Sequence, residues 1–353
     1  MLKFVFKLLI FFILFIVNHA SLHAQNSRKL STIPRVDIHA HIGSTELMAD
    51  YMGVRKVLKE QFNIDLAMWV DLGFPVIPMS EIFNRREYPC SPLKSGGKGI
   101  EFLKEVEEKF NGRFLVSLTD YNILDGLRFS PEELPEWMER SVVGYKIWIG
   151  VSSAVDHPAN DPTFTKMEQI GMIGASIHVA QPYPTSWCED PIKFWEAQNA
   201  WERVLARHPN LKVVMAHMLD LFYSDEQLDY LRYILETYPN LYLDLSARFQ
   251  QFHRMDRENL RKFMIKYSDR ILFGTDIIFE PRDSEYQHVA ERYNRCFQIL
   301  ETDKIIQGGF FGKTDIQGLA LPIDALEKIY YKNAVKLYPR VKDNLTNLGY
   351  FVE

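Results

Sequence analysis

Two periods alternate along this chain. From Arg35 to Gly43 apolar and polar residues trade places one by one, with Val36, Ile38 and Ala40 set against Asp37, His39 and His41. Period two predicts a β-strand with one face on apolar neighbours. From Thr45 to Asn63 the apolar residues fall at Leu47, Met48, Tyr51, Met52, Val57, Leu58 and Phe62, which is helical spacing. The same two signals then recur. Strands are predicted over 66–72, 113–119, 143–149, 175–180, 211–218, 241–245 and 271–276. Helices are predicted over 100–110, 162–170, 191–207, 225–237, 257–267, 285–300 and 324–338. One more helix is expected to start at Ser130-Pro131-Glu132-Glu133, with serine as N-cap, proline first and acids in the first turn. The stretch 73–99 is rich in Pro and Gly and reads as a loop covering a site.

Eight strands alternating with helices is the order of a (β/α)8 TIM barrel. A doubly wound open sheet usually carries a Gly-rich phosphate turn after its first strand, and none follows Arg35–Gly43 here. No internal repeat and no linker divides the chain, so residues 25–353 are expected to form one barrel domain.

Barrel strands turn alternate residues inward, and function collects at their C-terminal ends. Parity places His39 and His41 inward on strand one and Lys146 with Trp148 on one face of strand four. Ser176, His178 and Ala180 face in on strand five, and Val213, Met215 and His217 on strand six. Strand seven sends in Asp244, Ser246 and Arg248; strand eight sends in Gly274 and Asp276. A strand interior has no use for adjacent histidines unless something satisfies their nitrogens. His39, His41, Lys146, His178, His217 and Asp276 gathered at one mouth predict a divalent metal site. Nitrogen ligands with one carboxylate suit Zn2+, with Fe2+ or Mn2+ as alternatives. His208, His253 and His288 read as helix-end or surface residues. His157 follows strand four on the correct face, in a loop, and is a candidate substrate contact. Arg248 could hold a substrate carboxylate or form a surface ion pair, and Trp148 could line the pocket or fill the barrel.

Composition narrows the setting. The 353 residues are 47% hydrophobic and 25% charged, an ordinary globular balance, and the net charge of −5 with no basic stripe argues against nucleic acid as a partner. The start differs: Lys3 and Lys7 precede the apolar run Leu8–Val17, and small residues lead to Ala24 before Gln25. That describes a secretory signal peptide over residues 1–24. The run is shorter than the ~20 residues a membrane span needs. An exported protein, periplasmic or secreted, with no lasting membrane association is the expectation. Cleavage would remove two lysines and no acid, leaving the mature chain more acidic. Cys90, Cys188 and Cys296 are an odd count that leaves at least one thiol outside any internal disulfide, and they are read as non-catalytic.

At this point the chain resembles a family. Asp37-Ile38-His39-Ala40-His41, Gly144-Tyr145-Lys146-Ile147, His178, Ala216-His217 and Gly274-Thr275-Asp276 are similar to the amidohydrolase superfamily, in its amidohydrolase-related branch with aminocarboxymuconate-semialdehyde decarboxylase-like enzymes. His208-Pro209-Asn210-Leu211-Lys212-Val213-Val214, Pro239-Asn240-Leu241-Tyr242-Leu243-Asp244 and Lys332-Asn333-Ala334 extend the likeness. The resemblance implies a distorted barrel holding one metal ion through His39, His41, His178 and Asp276, with His217 beside the metal-bound water. In two-metal relatives the strand-six histidine is a second-metal ligand and a carboxylated lysine bridges the ions; Lys146 has that position. Met218-Leu219-Asp220 departs from the His-Leu-Gly often found after that histidine.

A metal with an open position lowers the pKa of its water to about 7. Asp276 would take the water's proton, and His217 and Lys146 would stabilise the developing oxyanion. That set describes hydrolysis of an amide, lactone or ester of a small molecule. The same centre could instead release CO2 from an aromatic or enoic acid. A barrel that binds metal without catalysis is the alternative of another class. The sequence leaves substrate and oligomeric state open, a homodimer included.

Overall fold

The computed structural model describes residues 30–73, 98–121, 129–148, 155–178, 191–278 and 285–352. In chain order these form β1 (Arg35–His41), α1 (Thr45–Phe62), β2 (Leu66–Asp71), α2 (Lys98–Phe110), β3 (Phe114–Tyr121), α3 (Leu134–Glu139), β4 (Val142–Trp148) and α4 (Asp161–Ile170). There follow β5 (Ile173–Ile177), α5 (Pro191–Arg207), β6 (Val213–Met215), α6 (Asp225–Thr237), β7 (Leu241–Asp244), α7 (Arg257–Lys266), β8 (Ile271–Leu272), β9 (Ile277–Ile278) and α8 (Tyr286–Glu301). The sheet runs β8-β7-β6-β5-β4-β3-β2-β1-β9, and its neighbouring strands pair in parallel. It is the (β/α)8 TIM barrel that the alternation predicts.

The eighth strand is split. Its first half, β8, pairs with β7 through Leu243↔Ile271, and its second half, β9, pairs with β1 through Ala40↔Ile277. Between them the amide of Ile38 donates to Phe273 O at 3.1 Å and that of Asp276 to His39 O at 3.0 Å, so the seam stays hydrogen-bonded. A Cβ on Gly274 would lie 2.9 Å from the Cβ of His39, so this close approach needs glycine. Asp276 then turns with φ of 54°, which aims its carboxylate back toward β1.

Helix α1 shows how a helix is docked on this seam. The Ser44 hydroxyl accepts from the amide of Leu47, and Asn63 stops the helix in the left-handed region. Met48, Tyr51, Val54 and Leu58 form its buried face, and Tyr51 OH donates to Ile277 O at 2.9 Å. At the N-terminal end of the barrel Arg35 is buried. Its guanidinium bonds Glu301 at 2.7 Å and lies 4.8 Å and 5.1 Å from the Phe297 and Tyr330 ring centres.

Three further elements differ from expectation, and others were not foreseen. The helix expected at Ser130 starts at Leu134, and Glu133 Oε2 instead accepts from the amide of Ser130 across a turn. The proline and the acids there suit a turn as well as a helix start. Strand six ends at Met215, and His217, Met218, Leu219 and Asp220 all adopt positive φ. The helix expected over 324–338 is interrupted by a π-helical turn, Lys328–Lys332. The hairpin of β10 (Ile305–Ile306) and β11 (Ile316–Gln317), and the final helix Val341–Asn347, were not expected. Most of the loop expected over 73–99, together with the leader, Cys90 and Cys188, lies outside the described residues. Cys296 is a buried free thiol. Among the described residues no helix is long and apolar enough to cross a membrane.

Candidate metal centre

Strand ends bring the predicted residues together. His39 and His41 end β1, Lys146 lies in β4, His178 follows β5, His217 follows β6 and Asp276 sits in the break of the eighth strand. His39 Nε2 lies 3.1 Å from His41 Nε2 and 3.4 Å from Asp276 Oδ1, and His41 Nε2 is 3.2 Å from the same oxygen. On the other side His217 Nε2 is 2.7 Å from His178 Nε2, whose Nδ1 is 2.8 Å from Lys146 Nζ. His39, His217 and Asp276 form a donor group as well, with ligand atoms within 4.8 Å of one another. It shares His39 and Asp276 with the ligand set that the resemblance implies.

The far side of each ring explains why the near side calls for a cation. His39 Nδ1 donates to Asp244 Oδ2 at 2.9 Å. His41 Nδ1 donates to Gly73 O at 2.8 Å, and His217 Nδ1 to Ser246 O at 2.9 Å. Carbonyl and carboxylate oxygens only accept, so in the neutral form of each ring Nδ1 carries the proton and the Nε2 lone pair turns inward. Lone pairs and a carboxylate converging in a buried space require positive charge. The residues present therefore fit a divalent metal.

The electrostatics agree. Burial and Lys146 pull His39 down, but Asp244 and Asp276 outweigh them and raise it. A bound cation would take the place of the proton so favoured. Burial lowers His217 to about 4 and holds His178 and His41 below the ordinary imidazole range. Asp276 is opposed by burial, yet the His39 charge keeps it well below the usual carboxylate range, and its side chain remains 19% exposed toward the mouth. Burial brings Lys146 down to about 7.

Three further aspartates were not singled out by the sequence reading. Asp37 accepts from the amides of His39 and Thr275 and from Tyr293 OH, joining β1 to the eighth strand; burial lifts its carboxyl to about 6. Asp71 accepts from the amides of Ile42, Gly43 and Gly73, and so fixes the carbonyl that receives His41. Asp244 touches both His39 and the His217 backbone. Parity put Asp244 inward, but its partners are distant in sequence and carry no local signal.

The remaining candidates separate. Arg248 is nearly buried, bonded to Asp220 and, at 2.6 Å, to Tyr223 OH, rather than being a surface pair. His157 is exposed and caps the turn at Pro158, and the structure does not bring it to the cluster. The Trp148 side chain lies outside the described residues. His208 is buried between Asp161 and Glu168 on the helical layer, while His253 and His288 are exposed.

A family model described as Amidohydrolase matches residues 127–340. No curated protein matches the sequence. Among solved structures, 5-carboxyvanillate decarboxylase of Novosphingobium aromaticivorans, with bound manganese and 3-methoxy-4-hydroxy-5-nitrobenzoic acid, is similar at TM-score 0.51 and 14% identity, covering 87% of this chain and 97% of that one. A 2,6-dihydroxybenzoate decarboxylase in complex with 2,6-dihydroxybenzoate gives 0.50 and 17%, over 86% and 98%. An uncharacterised TIM-barrel protein of Bordetella bronchiseptica gives 0.50 and 17%, over 83% and 82%. At these identities the shared property is the fold.

Proposed function

The chain belongs to the amidohydrolase family, and from that premise we propose that it is a metal-dependent decarboxylase of a small aromatic or enoic acid. Two barrels of the same fold are decarboxylases by name, and each is described with a ring-bearing acid. The observation in this chain that carries the reading is Lys146. It is a buried amine, brought down to about 7, set against the His178–His217 side of the cluster.

The residues divide the work. His39, His41, His178 and Asp276, with His217 against them, would hold the ion. A divalent ion held there would supply Lewis acidity for the acid's oxygens and for the electron pair left behind. Zn2+ suits the donors, and manganese is the ion named with one of the similar barrels. Arg248, on the loop after β7, supplies a second cation for an acidic substrate. As the bond to the carboxyl carbon breaks, its electron pair stays on the ring or enoic carbon and CO2 leaves. That carbon then needs a proton, which Lys146 can both hold and release near neutrality. Neutral His217 turns its Nε2 into the cluster, and anionic Asp276 orients the acid.

Hydrolysis of an amide, ester or lactone is the second reading. Asp276 favours it, because an ionised carboxylate 3.2 Å from His41 Nε2 and partly exposed toward the mouth is placed to orient a water. Metal-replete protein incubated in D2O with hydroxybenzoates, enoic acids, esters, amides and lactones decides between them. The expected result is CO2 and a product with deuterium where the carboxyl was. Ester, amide or lactone cleavage with no CO2 from any acid overturns the proposal. Export with loss of residues 1–24 is proposed alongside, and N-terminal sequencing of the mature protein tests it; an intact Met1 would contradict it.

A further inference from the structure

The carboxylate behind the cluster is shared by two rings. Asp244 Oδ2 accepts from His39 Nδ1 at 2.9 Å. Its Oδ1 accepts from the backbone amides of His217 at 2.9 Å and Ser246 at 3.0 Å, and from the Ser246 hydroxyl. The Ser246 oxygens then receive His217 Nδ1, Oγ and carbonyl O each at 2.9 Å. Asp244 and Ser246 are fully buried. His39 comes from β1 and His217 from beyond β6, so one side chain of β7 sets both.

We propose that Asp244, acting with Ser246, is a positioning residue that fixes His39 and His217 in the Nδ1–H tautomer with both Nε2 atoms aimed at one metal. The backbone argues for it beyond the hydrogen bonds. His217, Met218, Leu219 and Asp220 have φ of 57°, 53°, 59° and 57°. Non-glycine residues rarely hold this conformation even singly. The run persists because it is anchored at several points. Asp244 takes the amide of His217 at its head, Gln198 Nε2 donates to Leu219 O at 2.7 Å in its middle, and Arg248 grips Asp220 at its tail. Asp244 thus holds both the ring of His39 and the turn that delivers the ring of His217. An asparagine there would place an amide NH2 where at least one of these donors needs an acceptor.

The inference rests on the metal reading of this site but not on which reaction the site performs. Two measurements test it. The first titrates Zn2+ or Mn2+ alone into metal-stripped wild-type, Asp244→Asn and Ser246→Ala proteins by calorimetry, with circular dichroism as the folding control. Outer partners of metal-binding histidines are worth about 10- to 100-fold in affinity, so folded Asp244→Asn is expected to bind that much more weakly, with Ser246→Ala shifted less. The second reads 15N imidazole shifts of metal-stripped wild type, and so stands even where Asp244→Asn does not fold. His39 and His217 are expected to show protonated Nδ1 and unprotonated Nε2. Wild-type metal affinity in folded Asp244→Asn, or an Nε2–H tautomer at either histidine, overturns the proposal. Absence of CO2 release with both measurements as expected would sink the decarboxylase reading and leave this one standing.

Discussion

The two ends of the barrel treat buried charge in opposite ways. At the N-terminal end the Arg35 guanidinium is neutralised by Glu301, bonded to the carbonyls of Ile33 and Leu30, and flanked by the Phe297 and Tyr330 rings. The protein itself supplies the counter-charge and acceptors for both terminal nitrogens, with Nε left without one. At the C-terminal end, imidazole nitrogens and the Asp276 carboxylate are turned toward one another, with protein acceptors behind the rings of His39, His41 and His217. One end is built to be complete and the other to be completed by a ligand. A cavity of about 590 Å3 lined by Pro34, Lys59, Asp65 and Tyr350 lies at the N-terminal end. The chemistry is at the other.

Substitutions at the two ends should therefore fail differently. Lys146→Met is expected to leave a folded barrel and lower kcat by ~10²–10⁴-fold, the usual worth of a positioned proton-transfer group. Steady-state kinetics beside a thermal melt checks this, and a melt that collapses with activity would erase the contrast. Arg35→Met should do the reverse. Removing one partner of a buried pair costs about 3–5 kcal/mol, read as a lower denaturant midpoint, while the folded fraction keeps its turnover. Adding Glu301→Leu should restore most of that loss.

Gly274→Ala probes the seam between the two behaviours. Its Cβ would meet the Cβ of His39 at 2.9 Å, so a loss of about 1–3 kcal/mol is expected together with weaker metal binding. Stability loss with unchanged metal affinity would mean that His39 does not move. Ser44→Ala is the smallest effect. It removes the α1 cap next to the mouth and should cost about 1 kcal/mol with no change in metal affinity, behaving like the far end of the barrel despite its position.

The fold was legible because a parallel barrel writes itself in local periods. β1 and α1 are readable within a dozen residues, and parity alone turned His39, His41, His178 and Asp276 toward one mouth. His217 reached the mouth by another route. Alternation expected a strand through Met218, whereas the chain leaves β6 at Met215 and turns left-handed. Four consecutive positive φ values at non-glycine residues have no sequence signature, since they depend on Asp244, Gln198 and Arg248 from elsewhere in the chain. The aspartates behind the cluster were hidden for the same reason: Asp244 and His39 are 205 residues apart. Ser130 misled because its capping pattern serves a turn as well as a helix.

The central claim is that the C-terminal mouth is completed by a divalent metal. Crystals of the metal-loaded protein, with elemental analysis of the same sample and anomalous scattering at the metal edge, test it most directly. The account predicts one ion per chain, within coordination distance of His39 Nε2 and Asp276. Two ions with added mass on Lys146 would replace this with a bridged pair. A folded chain that takes up no divalent ion, or holds it away from His39 and Asp276, would contradict the account.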